Sequence, residues 1–152
     1  MEDKIIIYTD GSSRGNPGPG GFGAILMHKN NKKELWGAYR KTTNNRMELL
    51  AVIAALEQLK RNDLKVEIYS DSKYVVEAIE KKWVWGWKRK GYKDKKNPDL
   101  WRRYLDLHDV FKPTFFWVKG HAENPFNNRC DELATLAAQS NHLQIDEEYE
   151  KL

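Results

Sequence analysis

Lys4-Ile5-Ile6-Ile7-Tyr8-Thr9-Asp10-Gly11 is the stretch on which the fold turns. Its β-branched and aromatic residues predict a short central strand from Lys4 to Tyr8, and the run closes on an acid followed by glycine. Val66-Glu67-Ile68-Tyr69-Ser70-Asp71 repeats the arrangement: a second β-rich run, Leu64 to Ser70, ends in a second acid. Outward from these two, strands are expected over Phe22–His28 and Leu35–Lys41, joined across the polar turn 29–32, and over Thr114–Val118. Five glycines and two prolines between Gly11 and Gly21 read as a turn-dense loop.

Apolar residues at helical spacing predict helices over Asn45–Lys60, Ser72–Glu80, Asp99–Phe111 and Asn127–Ser140. Asn45, with Glu48 three residues on, reads as a helix cap with its reciprocal partner, and Asp71 as the cap of the next helix. With the first strand pointing up, a meander sends the second down and the third up. Helical crossovers then bring the fourth and fifth strands up, parallel to the first. The expected fold is α/β: a five-stranded mixed sheet, order 3-2-1-4-5, flanked by helices. This connectivity puts Asp10 and Asp71 at the upper ends of parallel strands. It puts Glu48 and Asp131 near the upper starts of their helices. Sites in open α/β sheets form at that edge.

Composition bounds the rest. The chain has 152 residues, 40% hydrophobic and 32% charged, which suits one domain with one core. No apolar run is long enough to span a bilayer, and Met1-Glu2-Asp3-Lys4 is no signal peptide, so the expectation is a cytoplasmic protein with no membrane partner. The lone Cys130 excludes a disulfide framework and reads as a small buried apolar residue. Between Lys81 and Lys96 stand eight basic residues against the single acid Asp94, interleaved with Trp83, Trp85 and Trp87. Such a concentrated basic element on an otherwise weakly acidic body predicts a polyanion docked at one place. Residues 1–141 are expected to form the folded domain. Residues 142–152, rich in acid and poor in apolar neighbours, are expected to fray as a flexible tail.

Each acid has an ordinary structural reading: Asp10-Gly11 a turn, Glu48 a capping partner, Asp71 an N-cap, Asp131 a favourable charge near a helix start. Four such residues meeting at one edge would repel one another unless a cation offset them. Carboxylates without a Cys/His set are the ligands of hard cations such as magnesium.

Five blocks carry a resemblance. Tyr8-Thr9-Asp10-Gly11-Ser12, Gly15-Asn16-Pro17-Gly18-Pro19-Gly20-Gly21, Thr42-Thr43-Asn44-Asn45-Arg46-Met47-Glu48-Leu49, Ser70-Asp71-Ser72-Lys73-Tyr74-Val75, and Val118-Lys119-Gly120-His121 with Arg129-Cys130-Asp131-Glu132-Leu133-Ala134 resemble bacterial type I ribonuclease H, in order, from about Ile5 to Ala138. The resemblance implies a monomeric endonuclease that cuts the RNA strand of RNA–DNA hybrids, leaving 5′-phosphate and 3′-hydroxyl ends. It implies that Asp10, Glu48, Asp71 and Asp131 hold two Mg2+ ions, with Mn2+ a possible substitute. Asp10 would bridge both. Asp131 would serve the ion that activates water, and Glu48 and Asp71 the ion at the leaving oxygen. His121, otherwise a solvent-facing loop histidine, would carry a proton or assist product release.

By the same resemblance, Ser13, Asn16, Asn44 and Asn45 would face the minor groove of the hybrid, and Thr43 with Asn16 would hold a DNA phosphate. Turn and capping chemistry is the alternative for these short polar residues. The resemblance also favours a helix for the tryptophan region. Trp83 and Trp87, four apart, are expected to share a buried face, leaving Trp85 to meet a DNA sugar and Lys88, Arg89 and Lys90 to meet phosphates. Met27, Glu123 and Asn128 depart from the family pattern; none is a metal ligand in it. Two other classes fit less well: a non-catalytic duplex-binding module would have no use for four acids, and a DNA-strand-transfer nuclease does not account for the Gly11–Gly21 segment.

Overall fold

The computed structural model of the chain describes residues 3–119 and 124–151. Strands β1 (Lys4–Ser13), β2 (Gly18–His28) and β3 (Asn31–Thr42) form an antiparallel meander. Helix α1 (Asn44–Glu57) leads to β4 (Lys65–Ser70), which lies parallel to β1. The helices α2 (Lys73–Glu80), α3 (Trp83–Arg89) and α4 (Pro98–Phe111) precede β5 (Thr114–Trp117), which is parallel to β4. Two helices follow, α5 (Pro125–Ala138) and the short α6 (Glu147–Glu150). The sheet order is β3-β2-β1-β4-β5, as the connectivity predicts.

Alternation along the strands divides the sheet into two faces. Ile5 and Ile7 of β1, Ile68 of β4 and Phe115 of β5 point into the main core with Met47, Leu49, Val52, Ile53 and Leu56 of α1. Ile25 meets Cys130 and Leu133 of α5 in a second cluster, with Tyr8 and Met27 at its margin. Helices α1 and α5 therefore cover opposite faces, and the acids they carry reach the same edge from either side. The Cys130 thiol is buried and donates to the Tyr8 carbonyl at 3.3 Å, consistent with its reading as a packing residue.

The glycine-rich segment is not a long loop. β1 continues through Ser13 and β2 starts at Gly18, with Ser13 opposite Gly20, so the connection is only residues 14–17. Its glycines serve close packing more than turning. A Cβ on Gly23 would sit 2.6 Å from the Cys130 carbonyl oxygen and 2.7 Å from the Leu133 Cβ, so α5 can lie on β2 only because that position is bare. Gly11 is bare for the same reason against the Met47–Glu48 backbone of α1.

The caps differ from expectation, by two residues at α1 and by one at α2. Thr43 caps α1, its hydroxyl accepting from Arg46 N–H at 3.2 Å, and Ser72 caps α2, accepting from Val75 N–H at 3.2 Å. Asn45 is the second residue of α1 and Asp71 precedes the cap of α2, so neither caps its helix. Helix α5 begins at Pro125, capped by Asn124, which places Asp131 in its second turn. The segment after Asn141 is docked where charge content suggested fraying. Gln144 N–H donates to the Ala38 carbonyl at 2.9 Å, and Arg40 N–H to the Gln144 carbonyl at 2.8 Å, adding one bridge to the edge of β3. Asp146 is buried and joined to Arg46. No helix among the described residues is long and apolar enough to cross a membrane.

Candidate active site

Asp10 stands where β1 leaves its pairing with β4, opposite Gly23 of β2, and is 5% exposed. Glu48, 4% exposed, reaches it from the first turns of α1, and its Oε1 accepts from the Gly11 amide. This bond replaces the reciprocal cap expected from the sequence: Glu48 ties α1 to β1, which the bare Gly11 allows. Asp71, half-buried, is the single residue between β4 and the cap of α2. One carboxylate oxygen from each of Asp10, Glu48 and Asp71 lies within 4.8 Å of the others, the one such group of three among the described residues. Asp131 lines the same cleft from α5, more exposed and outside that tight trio. His121 and Glu123 lie outside the described residues.

Crowding raises the proton affinity of these acids. Burial pushes the Asp10 carboxyl up to about 7; the hydrogen bond with Glu48 works against the rise, and the charge of Asp71 adds to it. Glu48 is held well above the usual carboxylate range, by burial first and then by Asp10 and Asp71. The donor set is oxygen throughout and its charge is uncompensated by any neighbouring lysine or arginine in an ion pair with Asp10, Glu48 or Asp71 among the described residues. That chemistry fits hard divalent cations.

The acid cleft, about 470 Å³, opens into a second one of about 320 Å³. Asn45 and Tyr74 line both, and the second is walled by Asn16, Thr43, Trp83, Trp87, Lys95 and Lys96. Asn16 is fixed there, its Oδ1 accepting from Asn44 N–H at 3.0 Å. Ser13 ends β1 beside Asn16, while Asn44 and Asn45 are exposed at the start of α1. Lys88, Arg89 and Lys90 are exposed at the end of α3.

The tryptophans are distributed otherwise than expected. Val84 is the buried residue of α3, and Trp83 is 47% exposed. Trp85 turns inward, its ring edge-on to His108 at 4.9 Å, so it packs on α4 and does not line the cleft. Trp87 leans edge-on against Trp101 and lies under Lys95. The four-residue spacing of Trp83 and Trp87 does put them on one side, which lines the cleft, and Trp87 also packs against the core as expected. Tyr74, Lys95 and Lys96 line it too and were missed, since nothing local distinguishes them from surface residues.

An equally large cleft between β3 and α5, lined by Trp36, Leu133 and Leu136, has only Glu34 as an acid, and Glu34 is paired with Arg129 at 2.8 Å. The carboxylate cluster, not the volume, selects the site.

Acids gathered at the carboxyl edge of a 3-2-1-4-5 sheet make this an α/β protein with a candidate cation site. Residues 2–139 match the family model for RNase H, and the chain belongs to the ribonuclease H family. It is 51% identical over 148 residues to the ribonuclease H of Desulforamulus reducens, covering 94% of this chain and 92% of that protein. It is 49% identical over 152 residues to that of Rippkaea orientalis, covering 97% and 93%. Among solved structures, LC9-RNase H1, a type 1 RNase H with the type 2 active-site motif, superposes with a TM-score of 0.80 at 29% identity, over 99% of this chain and 81% of that one. LC11-RNase H1 in complex with an RNA/DNA hybrid gives 0.68 at 31% identity, over 90% and 97%.

Proposed function

We propose that this chain hydrolyses the RNA strand of RNA–DNA hybrids, leaving 5′-phosphate and 3′-hydroxyl ends, with two Mg2+ ions held by Asp10, Glu48, Asp71 and Asp131. The observation that carries the reading is the oxygen-only trio of Asp10, Glu48 and Asp71, continuous with a cleft of asparagines, tryptophans and lysines. The hybrid bound by the LC11 relative supports the choice of substrate. When bound, a pair of such cations makes water nucleophilic at neutral pH and offsets charge on the leaving oxygen.

The protein supplies the rest. Asp10, in the tight trio, would serve both ions, with Glu48 and Asp71 holding one and Asp131 the other. Glu48 is kept in place by the Gly11 amide, so its carboxylate is aimed before substrate arrives. Ser13, Asn16, Asn44 and Asn45 approach the minor groove, where amide side chains can meet 2′-hydroxyls and base edges. Thr43 and Asn16 sit beside Lys95 and Lys96, a setting for a phosphate of the DNA strand. Trp83 and Trp87 offer flat faces to its sugars, the role expected of Trp85. Lys88, Arg89 and Lys90 extend the contact along the backbone. His121 serves as proton carrier. The protein acts as a monomer in the cytoplasm.

The deciding experiment incubates end-labelled RNA–DNA hybrid, RNA duplex and DNA duplex with the protein, in magnesium or in chelator. Cleavage of the RNA strand of the hybrid alone, in magnesium alone, is expected. Asp10→Asn should lower it at least a thousandfold with the circular dichroism spectrum unchanged. Equal cutting of RNA duplex, or robust cutting in chelator, would refute the proposal.

A further inference from the structure

Asp71 hangs from the shortest joint in the site. β4 ends at Ser70 and Ser72 already caps α2, so Asp71 alone connects them. The first bond of α2 runs from Val76 N–H to the Ser72 carbonyl, which leaves the Asp71 carbonyl outside the helix. The sheet ladder stops one residue short of it, with Val118 N–H donating to the Ser70 carbonyl at 2.9 Å. What holds the Asp71 carbonyl is a side chain: the indole Nε1–H of Trp117 donates to it at 3.1 Å.

Trp117 is the last residue of β5, in register with Ser70. Its ring is 46% exposed, so it contributes little to the core. The ammonium of Lys73, in the wall of the acid cleft, lies 5.0 Å from its centroid. A large residue is thus held half in water at the rim, with its one polar atom committed to the backbone of a cluster acid.

We infer that Trp117 is a positioning residue: its indole N–H fixes the Asp71 peptide and thereby aims the Asp71 carboxylate toward Asp10 and Glu48 for a divalent cation. This rests on the proposed cation-dependent hydrolysis and adds to it a residue that touches neither substrate nor ion. A one-residue joint has two free dihedrals, one on either side of its Cα, and the carboxylate swings with them. Pinning the carbonyl removes that freedom before the cation arrives.

The test uses the full chain and Trp117→Phe, which keeps an aromatic ring beneath Lys73 and removes only the donor. Trp36→Phe, at an exposed tryptophan on β3 away from the cluster, is the control. Magnesium chloride is titrated calorimetrically without nucleic acid, and separately during hybrid cleavage. W117F should bind Mg2+ about fivefold more weakly, the net worth of one hydrogen bond, and its magnesium midpoint for cleavage should rise by the same factor. Hybrid affinity in chelator and cleavage at saturating magnesium should stay at the wild-type level. W36F should change neither midpoint. A W117F protein with wild-type magnesium affinity overturns the inference, as does one that loses hybrid affinity in its place. In the wild-type protein, the Trp117 indole N–H resonance should shift along the magnesium titration; an unmoved resonance overturns the inference without any variant. If wild-type protein fails to cut hybrid, the functional proposal falls, while the calorimetric comparison still decides the role of Trp117.

Discussion

Asp10 is a carboxyl whose proton affinity the fold has changed. In the unfolded chain its carboxyl ionises in the ordinary range; in the fold, burial and the charge of Asp71 hold the proton until about pH 7. The folded state therefore binds more protons than the unfolded one between about pH 4 and 7, and stability falls as pH rises through that window before levelling. Without divalent cation, Asp10→Asn removes this cost. The variant should be more stable than wild type at pH 8 by about 1–3 kcal/mol, and little different at pH 4. Urea unfolding at both pH values, in chelator, checks the sign. Excess magnesium should stabilise wild type more than D10N, since only the former offers the full cluster. Greater stability of wild type in chelator at pH 8 would show that the carboxylate is not strained.

Asp10 and Asp71 were legible because each closes a recognisable run, Ile5-Ile6-Ile7-Tyr8 before Asp10 and Val66 to Ser70 before Asp71, while Glu48 and Asp131 were placed by the helices that carry them. Their convergence followed from connectivity alone. What stayed hidden was which partner each would choose. Glu48 reads equally well as a cap or as a ligand, and only the folded position of the Gly11 amide decides it.

At the scale of elements, glycine misled. Gly11, Gly20 and Gly21 count as turn residues in a sequence, yet all three are paired strand residues whose bareness admits a neighbouring element, as does that of Gly23 within the expected strand. Gly23→Ala would drive a methyl into the α5 backbone. It should cost about 1–3 kcal/mol and weaken cleavage beyond that loss, because α5 carries Asp131. Chemical denaturation and steady-state kinetics report the two effects separately; unchanged values in both would mean that α5 is not held against β2 by that position. The tryptophan helix failed differently. Spacing identified the shared side of Trp83 and Trp87 but cannot tell core from cleft, and the packing of Trp85 on His108 settles it. Beyond them, replacing Lys88, Arg89 and Lys90 with glutamine should raise KM more than it lowers kcat. It should also flatten the slope of log affinity against log salt by about 2–3. A KM equal to wild type would remove this element from the substrate path.

Across the whole molecule, one arginine gathers three distant regions. Arg46, in the first turn of α1 and 2% exposed, donates to Asp146 beyond α5 at 2.8 Å and to Asp99 at the start of α4 at 2.8 and 2.9 Å. Asp146 also accepts from the Thr42 hydroxyl at 3.3 Å. Charge content made residues 142–152 look like a solvated tail. A buried partner a hundred positions away in sequence leaves no local trace. Removing one member of a buried, fully bonded ion group leaves the rest uncompensated, so Asp146→Asn should cost about 3 kcal/mol in urea unfolding. A variant as stable as wild type would mean that the arginine is satisfied without it.

This arrangement also has a consequence in time. During synthesis, the first turn of α1, two residues from Glu48, cannot acquire its full set of acceptors until residue 146 has emerged from the ribosome. A chain halted just short of that point would hold all four acids of the cleft while leaving a buried guanidinium half-answered. Completion of the fold around Glu48 thus waits on translation through residue 146, a delay written into the position of one aspartate.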